Sequence, residues 1–353
     1  MRTINVKASK KYSVIIGAGL LERAGAFIKN AAGGNIAAIV TDDNVAGLYL
    51  DPMLKALRRV DYETVVFTVR HGEASKSPHN YIKLLEFFAE SRLTRTDVVI
   101  ALGGGVVGDL AGFAAASYMR GIPYVQVPTT LLAAIDSSVG GKTAIDLEAG
   151  KNLAGAFYQP NLVLCDHTLV EALPPSIFVD GCAEVIKYGM IADRELFKMM
   201  SSDAQSDIEE IIARCVEIKS DIVREDEYEK GTRKMLNFGH TVGHAIEKLS
   251  NYNVSHGKAV AIGMAVETMA AVRKGRCGID CYNELVDLLH KYGLPYTTRY
   301  RAEEISSAAL SDKKLSGGKI TLIFPEEIGI CGLHEVDVSE MKSIISLGVE
   351  EKR

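Results

Sequence analysis

The chain of 353 residues contains no tryptophan and no apolar run long enough to span a bilayer. Its opening, Met1-Arg2-Thr3-Ile4-Asn5, lacks the apolar core of a signal peptide. None of its six cysteines forms a C-x-x-C pair, and only Cys277 and Cys281 lie close in sequence. That pattern suits free thiols in a reducing compartment, so the expected location is the cytoplasm. No face carries a basic run, and the formal net charge is -5, which argues against a nucleic-acid-binding surface. Repeats and low-complexity tracts are also missing. What remains is an ordinary globular composition, 47% hydrophobic and 24% charged, in a chain long enough for two domains.

Histidine is sparse too, yet three of the eight, His240, His244 and His256, crowd into one stretch. It reads R-K-M-L-N-F-G-H-T-V-G-H-A-I-E-K-L from Arg233, a polar connector, then H-G-K-A-V-A-I-G-M ending at Met264. His240 and His244 are a turn apart in a segment of helical apolar spacing, so both imidazoles project from one face. Arg233 and Asn237 fall on the same stripe. Such a histidine pair is often structural, but the third histidine and the two polar neighbours favour a site. If the connector closes a helix pair, His256 returns toward His240. Two imidazoles with a carboxylate from elsewhere make a zinc-type site with one open position.

Residues 1–176 read as an α/β domain. Strand candidates Tyr12–Ile16, Ile36–Val40 and Thr64–Val69 alternate with helices over Leu20–Asn30 and Asp51–Val60. Alternation of this kind implies a parallel sheet, which binds ligands beyond the carboxyl ends of its strands. Asp42, Asn44, Glu73 and Lys76 occupy such places, although turn chemistry alone accounts for residues of these types. The apolar strand Asp97–Leu102 runs into Gly103-Gly104-Gly105-Val106-Val107-Gly108-Asp109 and a helix over Leu110–Met119. That is G-x-G-x-x-G in the strand-to-helix context of a Rossmann-like dinucleotide site. The acidic residue usual about twenty positions on is missing, and Asp42 is a substitute ribose partner. Further on, Thr129 and Thr130 end a buried strand, Asp136 opens a polar turn, and Lys142, Lys151 and Asn152 lie in glycine-rich loops suited to anions.

Residues 177–353 read as a mostly helical domain. Glu184 and Lys187 share a helix face otherwise lined by apolar residues, and a carboxylate there needs a partner, which makes Glu184 the candidate third metal ligand. Lys219 falls on a helix over Ile208–Val223, where a solvated lysine is the plainer reading. The tail carries D-K-K-L-S-G-G-K, with Lys313 and Lys314.

Taken in order, G-E-x-x-K-S at 72–77, G-G-G-V-V-G-D-L-A-G-F at 103–113, V-P-T-T-L-L-A at 127–133 and D-S-S-V-G-G-K-T at 136–143 resemble the 3-dehydroquinate synthases. So do G-K-N-L-A-G-A-F-Y-Q-P at 150–160, G-x-A-E-V-I-K-Y-G at 181–189, N-F-G-H-T-V-G-H-A-I-E at 237–247 and H-G-x-A-V-A-I-G-M at 256–264. The match covers nearly the whole chain. It implies a zinc or cobalt ion on Glu184, His240 and His256, with His244 released to the substrate. It implies NAD held by Asp42, Asn44, Glu73, Lys76, the turn from Gly104 and Gly105 through Val106, Val107 and Gly108 to Asp109, Thr129, Thr130, Lys142, Lys151, Leu169 and Ala172. Lys142, Lys187, Lys219, Arg233, Asn237 and His244 would be catalytic. Asp136, Asn152 and Lys313 or Lys314 would bind substrate, and Arg120 would reach the neighbouring active site of a homodimer. His71, Ala134, Glu171 and Ala172 depart from the usual pattern; none is a proposed acid, base or ligand, so they bear on cofactor affinity.

The resemblance implies a reaction as well. NAD oxidises a hydroxyl of 3-deoxy-D-arabino-heptulosonate 7-phosphate, phosphate is eliminated, the hydride returns, the ring opens and an aldol closure gives 3-dehydroquinate. A substrate with carboxylate and phosphate explains converging cations in an acidic protein. Rival readings are another sugar-phosphate cyclase such as 2-deoxy-scyllo-inosose synthase, a related metal-dependent alcohol dehydrogenase, and a non-catalytic NAD-binding regulator. The intact Glu–His–His set opposes the last.

Overall fold

The computed structural model describes residues 1–202, 204, 206–312 and 318–349; Lys313 and Lys314 lie outside them. The chain packs as two compact units, Met1–Leu173 with Ile208–Glu227, and Pro174–Asp207 with Tyr228–Arg353.

The first unit holds a seven-stranded sheet of β1 (Arg2–Lys7), β2 (Lys11–Gly17), β3 (Ile36–Asp42), β4 (Glu63–Val69), β5 (Val98–Gly103), β6 (Tyr124–Pro128) and β9 (Leu162–Asp166). Their order is β1-β2-β9-β6-β5-β3-β4, antiparallel only between β1 and β2. β5 and β9, Val-Val-Ile-Ala-Leu-Gly and Leu-Val-Leu-Cys-Asp, are buried throughout, as parallel strands covered on both faces must be. Helices α1 (Ala24–Ala32), α2 (Asp43–Arg58), α3 (Pro78–Glu90), α4 (Gly105–Ser117) and α5 (His167–Glu171) supply the connections.

Two helices start earlier than expected. Asp42 Oδ1 accepts the backbone N–H groups of Asn44 and Val45 at 3.0 and 2.9 Å, so α2 opens at Asp43 rather than Asp51 and carries Pro52 inside it. The glycine turn itself forms the first turn of α4, which begins at Gly105 rather than Leu110. A third difference concerns residues 142–157, expected as loops. They form an antiparallel hairpin of β7 (Lys142–Leu147) and β8 (Gly150–Phe157). The pairing depends on a small residue: a Cβ on Gly155 would sit 2.2 Å from the Thr143 carbonyl oxygen.

The second unit contains α6 (Pro175–Ala192), α7 (Arg194–Ser201), α9 (His240–Leu249), α10 (His256–Arg273), α11 (Ile279–Lys291), α12 (Ala302–Asp312) and α13 (Met341–Gly348). A hairpin of β10 (Lys319–Glu327) and β11 (Ile330–Asp337) completes it. The remaining helix, α8 (Ile208–Glu225), corrects the contiguous division at 176/177, because it belongs to the first unit. Its buried stripe of Ile208, Ile211, Ile212, Cys215, Val216 and Val223 faces β1 and β2, and Glu210 pairs with Arg2.

Candidate functional site

Glycines bring the three metal-type side chains together. Gly239 takes φ +76°, a left-handed turn that ends the 3-10 helix Thr232–Asn237 and opens α9. Helix α10 crosses this turn so closely that a Cβ on Gly263 would lie 1.9 Å from the Gly239 carbonyl oxygen. A Cβ on Gly257 would lie 2.0 Å from Asp180 O, which seats the start of α10 on α6. His240 at the head of α9 therefore faces His256 at the head of α10, ring centroids 5.3 Å apart. Both Nε2 atoms are 3.3 Å from Glu184 Oε1 on α6. The turn also corrects the single helical stripe expected for Arg233, Asn237, His240 and His244. Arg233 and Asn237 precede the break, and only the two histidines share α9.

The other ring nitrogens are occupied. His240 Nδ1 is 3.1 Å from the Phe238 carbonyl, and His256 Nδ1 is 3.4 Å from Glu247 Oε2. Carbonyl and carboxylate partners of this kind keep a proton on Nδ1 and leave Nε2 facing Glu184, where a metal would displace any proton it carries. Ligand atoms of Glu184, His240 and His256 lie within 4.8 Å of one another. Burial pushes His240 down to about 3, so it is neutral. Burial also opposes charge on His256, but hydrogen bonds to Glu184 and Glu247 raise it to about 10. Two nearly buried carboxylates thus draw positive charge to one spot. The donor set and its outer partners fit a zinc-type ion. His244 is exposed, its ring 5.4 Å from His240 and 6.1 Å from His256. Lys187 is fully buried, ion-paired to Glu184, its ammonium 4.9 Å from the Tyr188 ring centroid. Arg233 is 1% exposed, and Asn237 Nδ2 donates to Glu229 Oε1 at 2.6 Å.

In the first unit, Asp42 ends β3, and the 72–77 turn, the glycine turn and Thr129 lie at the carboxyl ends of β4, β5 and β6. Lys76 Nζ, side chain 6% exposed, donates to Asn152 Oδ1 at 2.6 Å and Asp109 Oδ2 at 3.1 Å, and lies 3.3 Å from Glu73 Oε1. Lys151 Nζ is 3.8 Å from the same Glu73 oxygen. Burial pushes Asp109 up to about 6 against the pull of Lys76. It works against Glu73 too, but Lys76 and Lys151 hold that carboxyl below the usual range. The Thr129 N–H donates to Gly103 O at 3.0 Å, while its buried hydroxyl has no partner among the described residues. A Cβ on Gly104 would come within 3.2 Å of Thr130, and one on Gly105 within 3.1 Å of Ser137 Oγ. An orphaned hydroxyl beside a bare-backbone cradle at a helix start fits a dinucleotide. His71, the departure from the familiar loop, ties that loop to α2: its backbone N–H and Nδ1 lie 2.7 and 2.8 Å from Asp43 Oδ1.

Lys219 is buried, not solvated; Nζ donates to the Asp136 carbonyl at 2.7 Å and pairs with its carboxylate. Lys142 is exposed at the start of β7, and Arg120 is exposed in a left-handed conformation, φ +67°. Leu169 buries its side chain in the sheet's core, whereas Ala172 is exposed at the end of α5. Two site residues escaped the sequence reading. Glu247 lies on the apolar face of α9, where the partner argument made for Glu184 applies equally. Asp146 sits in an ordinary strand and has no comparable signal.

Residues 66–180 match the family described as 3-dehydroquinate synthase N-terminal, and residues 181–315 the one described as 3-dehydroquinate synthase C-terminal. A 3-dehydroquinate synthase of Enterococcus faecalis is 43% identical over 342 residues, covering 95% of this chain and 96% of its own. One from Clostridium acetobutylicum is 40% identical over 348 residues, covering 96% and 98%. Among solved structures, 2-deoxy-scyllo-inosose synthase complexed with carbaglucose-6-phosphate, NAD+ and Co2+ aligns with TM-score 0.88 at 25% identity over 99% of this chain and 100% of that one. The 2-epi-5-epi-valiolone synthase of Streptomyces hygroscopicus subsp. jinggangensis, with NAD+ and Zn2+ bound, aligns with TM-score 0.87 at 25% identity over 98% of each. With two family matches that meet at residue 181 and relatives alike from end to end, the chain belongs to the 3-dehydroquinate synthase family.

Proposed function

We propose that this chain converts 3-deoxy-D-arabino-heptulosonate 7-phosphate to 3-dehydroquinate and phosphate. The observation that carries the reading is the set of Glu184, His240 and His256, whose inward Nε2 atoms and outer partners form an open metal centre in a chain of this family. When bound, zinc or cobalt supplies Lewis acidity and NAD a hydride acceptor that is restored within each turnover.

The chain's own residues then have distinct tasks. Glu184, His240 and His256 hold the metal, and Lys187, ion-paired to Glu184, offers a cation to the anionic substrate. Asp42, Asn44, Glu73, Lys76, the 104–109 turn, Thr129, Thr130, Lys151 and the 169–172 segment hold NAD. Lys142, Asp136, Asn152, Lys219, Arg233, Asn237 and the 313–314 lysines bind substrate. His244, exposed beside the metal ligands, moves protons. The working form is a homodimer in which the exposed Arg120 serves the neighbouring subunit. Six free cysteines support a cytoplasmic location, and no helix among the described residues is long and apolar enough to cross a membrane.

The test is phosphate release from the heptulosonate phosphate with zinc and catalytic NAD, followed together with absorbance for NADH. Phosphate without net NADH is the expected result. NADH accumulation from another alcohol, with no phosphate, would make the protein a dehydrogenase; phosphate release from glucose 6-phosphate alone would make it a different cyclase.

A further inference from the structure

Asp146, near the end of β7, is at the centre of a closed ring of hydrogen bonds. Its backbone N–H donates to Lys76 O at 2.8 Å. Its Oδ1 accepts the Asn152 N–H at 2.9 Å and lies 3.8 Å from Lys76 Nζ. The Asn152 side chain then accepts from Lys76 Nζ at 2.6 Å. Asn152 has φ +57°, in the left-handed region, and the Asp146 carboxylate that accepts its N–H helps to hold it there. The Asp146 side chain is one-fifth exposed, and burial together with Glu73 raises its carboxyl.

The ring joins two functions. Lys76 belongs to the turn that meets NAD, and Asn152 to the hairpin that meets the sugar phosphate; the inference rests on that reading. We propose that Asp146 is a positioning residue that couples the two ligands, so that binding of NAD orders Asn152 for substrate and binding of substrate orders Lys76 for NAD. Asp146 would act through Lys76 and Asn152, the two residues it holds. Coupling of this sort is reciprocal, the same factor appearing in both affinities.

The experiment uses the zinc-loaded full chain and, as substrate probe, the phosphonate analogue of the heptulosonate, whose C–P bond resists elimination. NAD is titrated calorimetrically with and without saturating analogue, and the analogue with and without NAD. In the parent protein each should tighten the other on the order of 5- to 150-fold. In Asp146→Ala, which removes both the acceptor for the Asn152 N–H and the charge beside Lys76 Nζ, the factor should fall toward one. Asp146→Glu, which keeps the charge but lengthens the reach past the Asn152 N–H, should lose most of it. A purely structural role would loosen both ligands and leave the factor intact, which would overturn the proposal. Independent binding in the parent protein would overturn it without recourse to any variant. Binding of NAD with no affinity for the analogue would overturn the substrate reading, and the coupling with it, whereas a factor of one with both ligands bound would sink the coupling alone.

Discussion

Glu247 shows how much of a candidate metal centre lies one bond outside its proposed ligands. Its carboxylate, 4% exposed, meets His256 Nδ1 and so fixes which nitrogen faces Glu184. Removing such an outer partner typically costs 10- to 100-fold in metal affinity, about 1.4–2.7 kcal/mol. Glu247→Gln, which keeps the shape, should lower zinc affinity by that range in a chelator competition. The far-ultraviolet spectrum should not change, since the α9 backbone bonds remain. Zinc affinity equal to the parent's would mean that Glu247 does not orient His256.

At the scale of elements, α10 meets the turn before α9 through a glycine contact that admits no side chain. Gly263→Ala places a methyl 1.9 Å from the Gly239 carbonyl oxygen, so α10 must shift and carry His256 with it. Overpacking of this kind costs about 1–3 kcal/mol, and the expected result in urea unfolding is a loss of that size together with reduced zinc content. Strand pairing offers a pH-dependent counterpart. Asp97, 3% exposed, accepts N–H groups from Thr94, Asn35 and Ile36 and the Thr94 hydroxyl, tying the start of β3 to the start of β5. Burial opposes its charge, but these donors hold the carboxyl below its ordinary value. Its stabilisation is therefore complete above about pH 4, where an unfolded aspartate is ionised, and fades as pH falls through the lower folded value. Asp97→Asn should cost about 1–3 kcal/mol at pH 7, and the gap to the parent should close under acid. A gap that widens under acid would reverse the sign of the argument. The buried strands and the clustering of the three histidines were legible because each leaves a local mark, an unbroken apolar run or a polar residue on an apolar face. The β7–β8 hairpin was not: glycines that let strands approach closely read the same as glycines in a loop. Nor was the split between Asn237 and His240, since helical spacing continues across a turn made by one positive φ.

The two units have separate cores, one around the parallel sheet and one around α9, α10, β10 and α13. Their ligands should therefore act on separate stabilities. Stripping zinc with a chelator should lower hydrogen-exchange protection in peptides spanning 184–190 and 238–264, by about 3–4 kcal/mol if zinc had been present at 100–1,000 times its dissociation constant. Adding NAD should protect 72–77 and 103–130 instead. Equal change in both units on zinc removal would show that they unfold as one. The return of α8 to the first unit has a consequence for synthesis on the ribosome. β1 and β2 emerge well before α8, yet the helix that covers them follows the whole of Pro174–Asp207, which belongs to the other unit. The nascent first unit must wait, one face bare, while part of its neighbour is translated. During that interval the protein is most open to capture by chaperones or by another nascent chain.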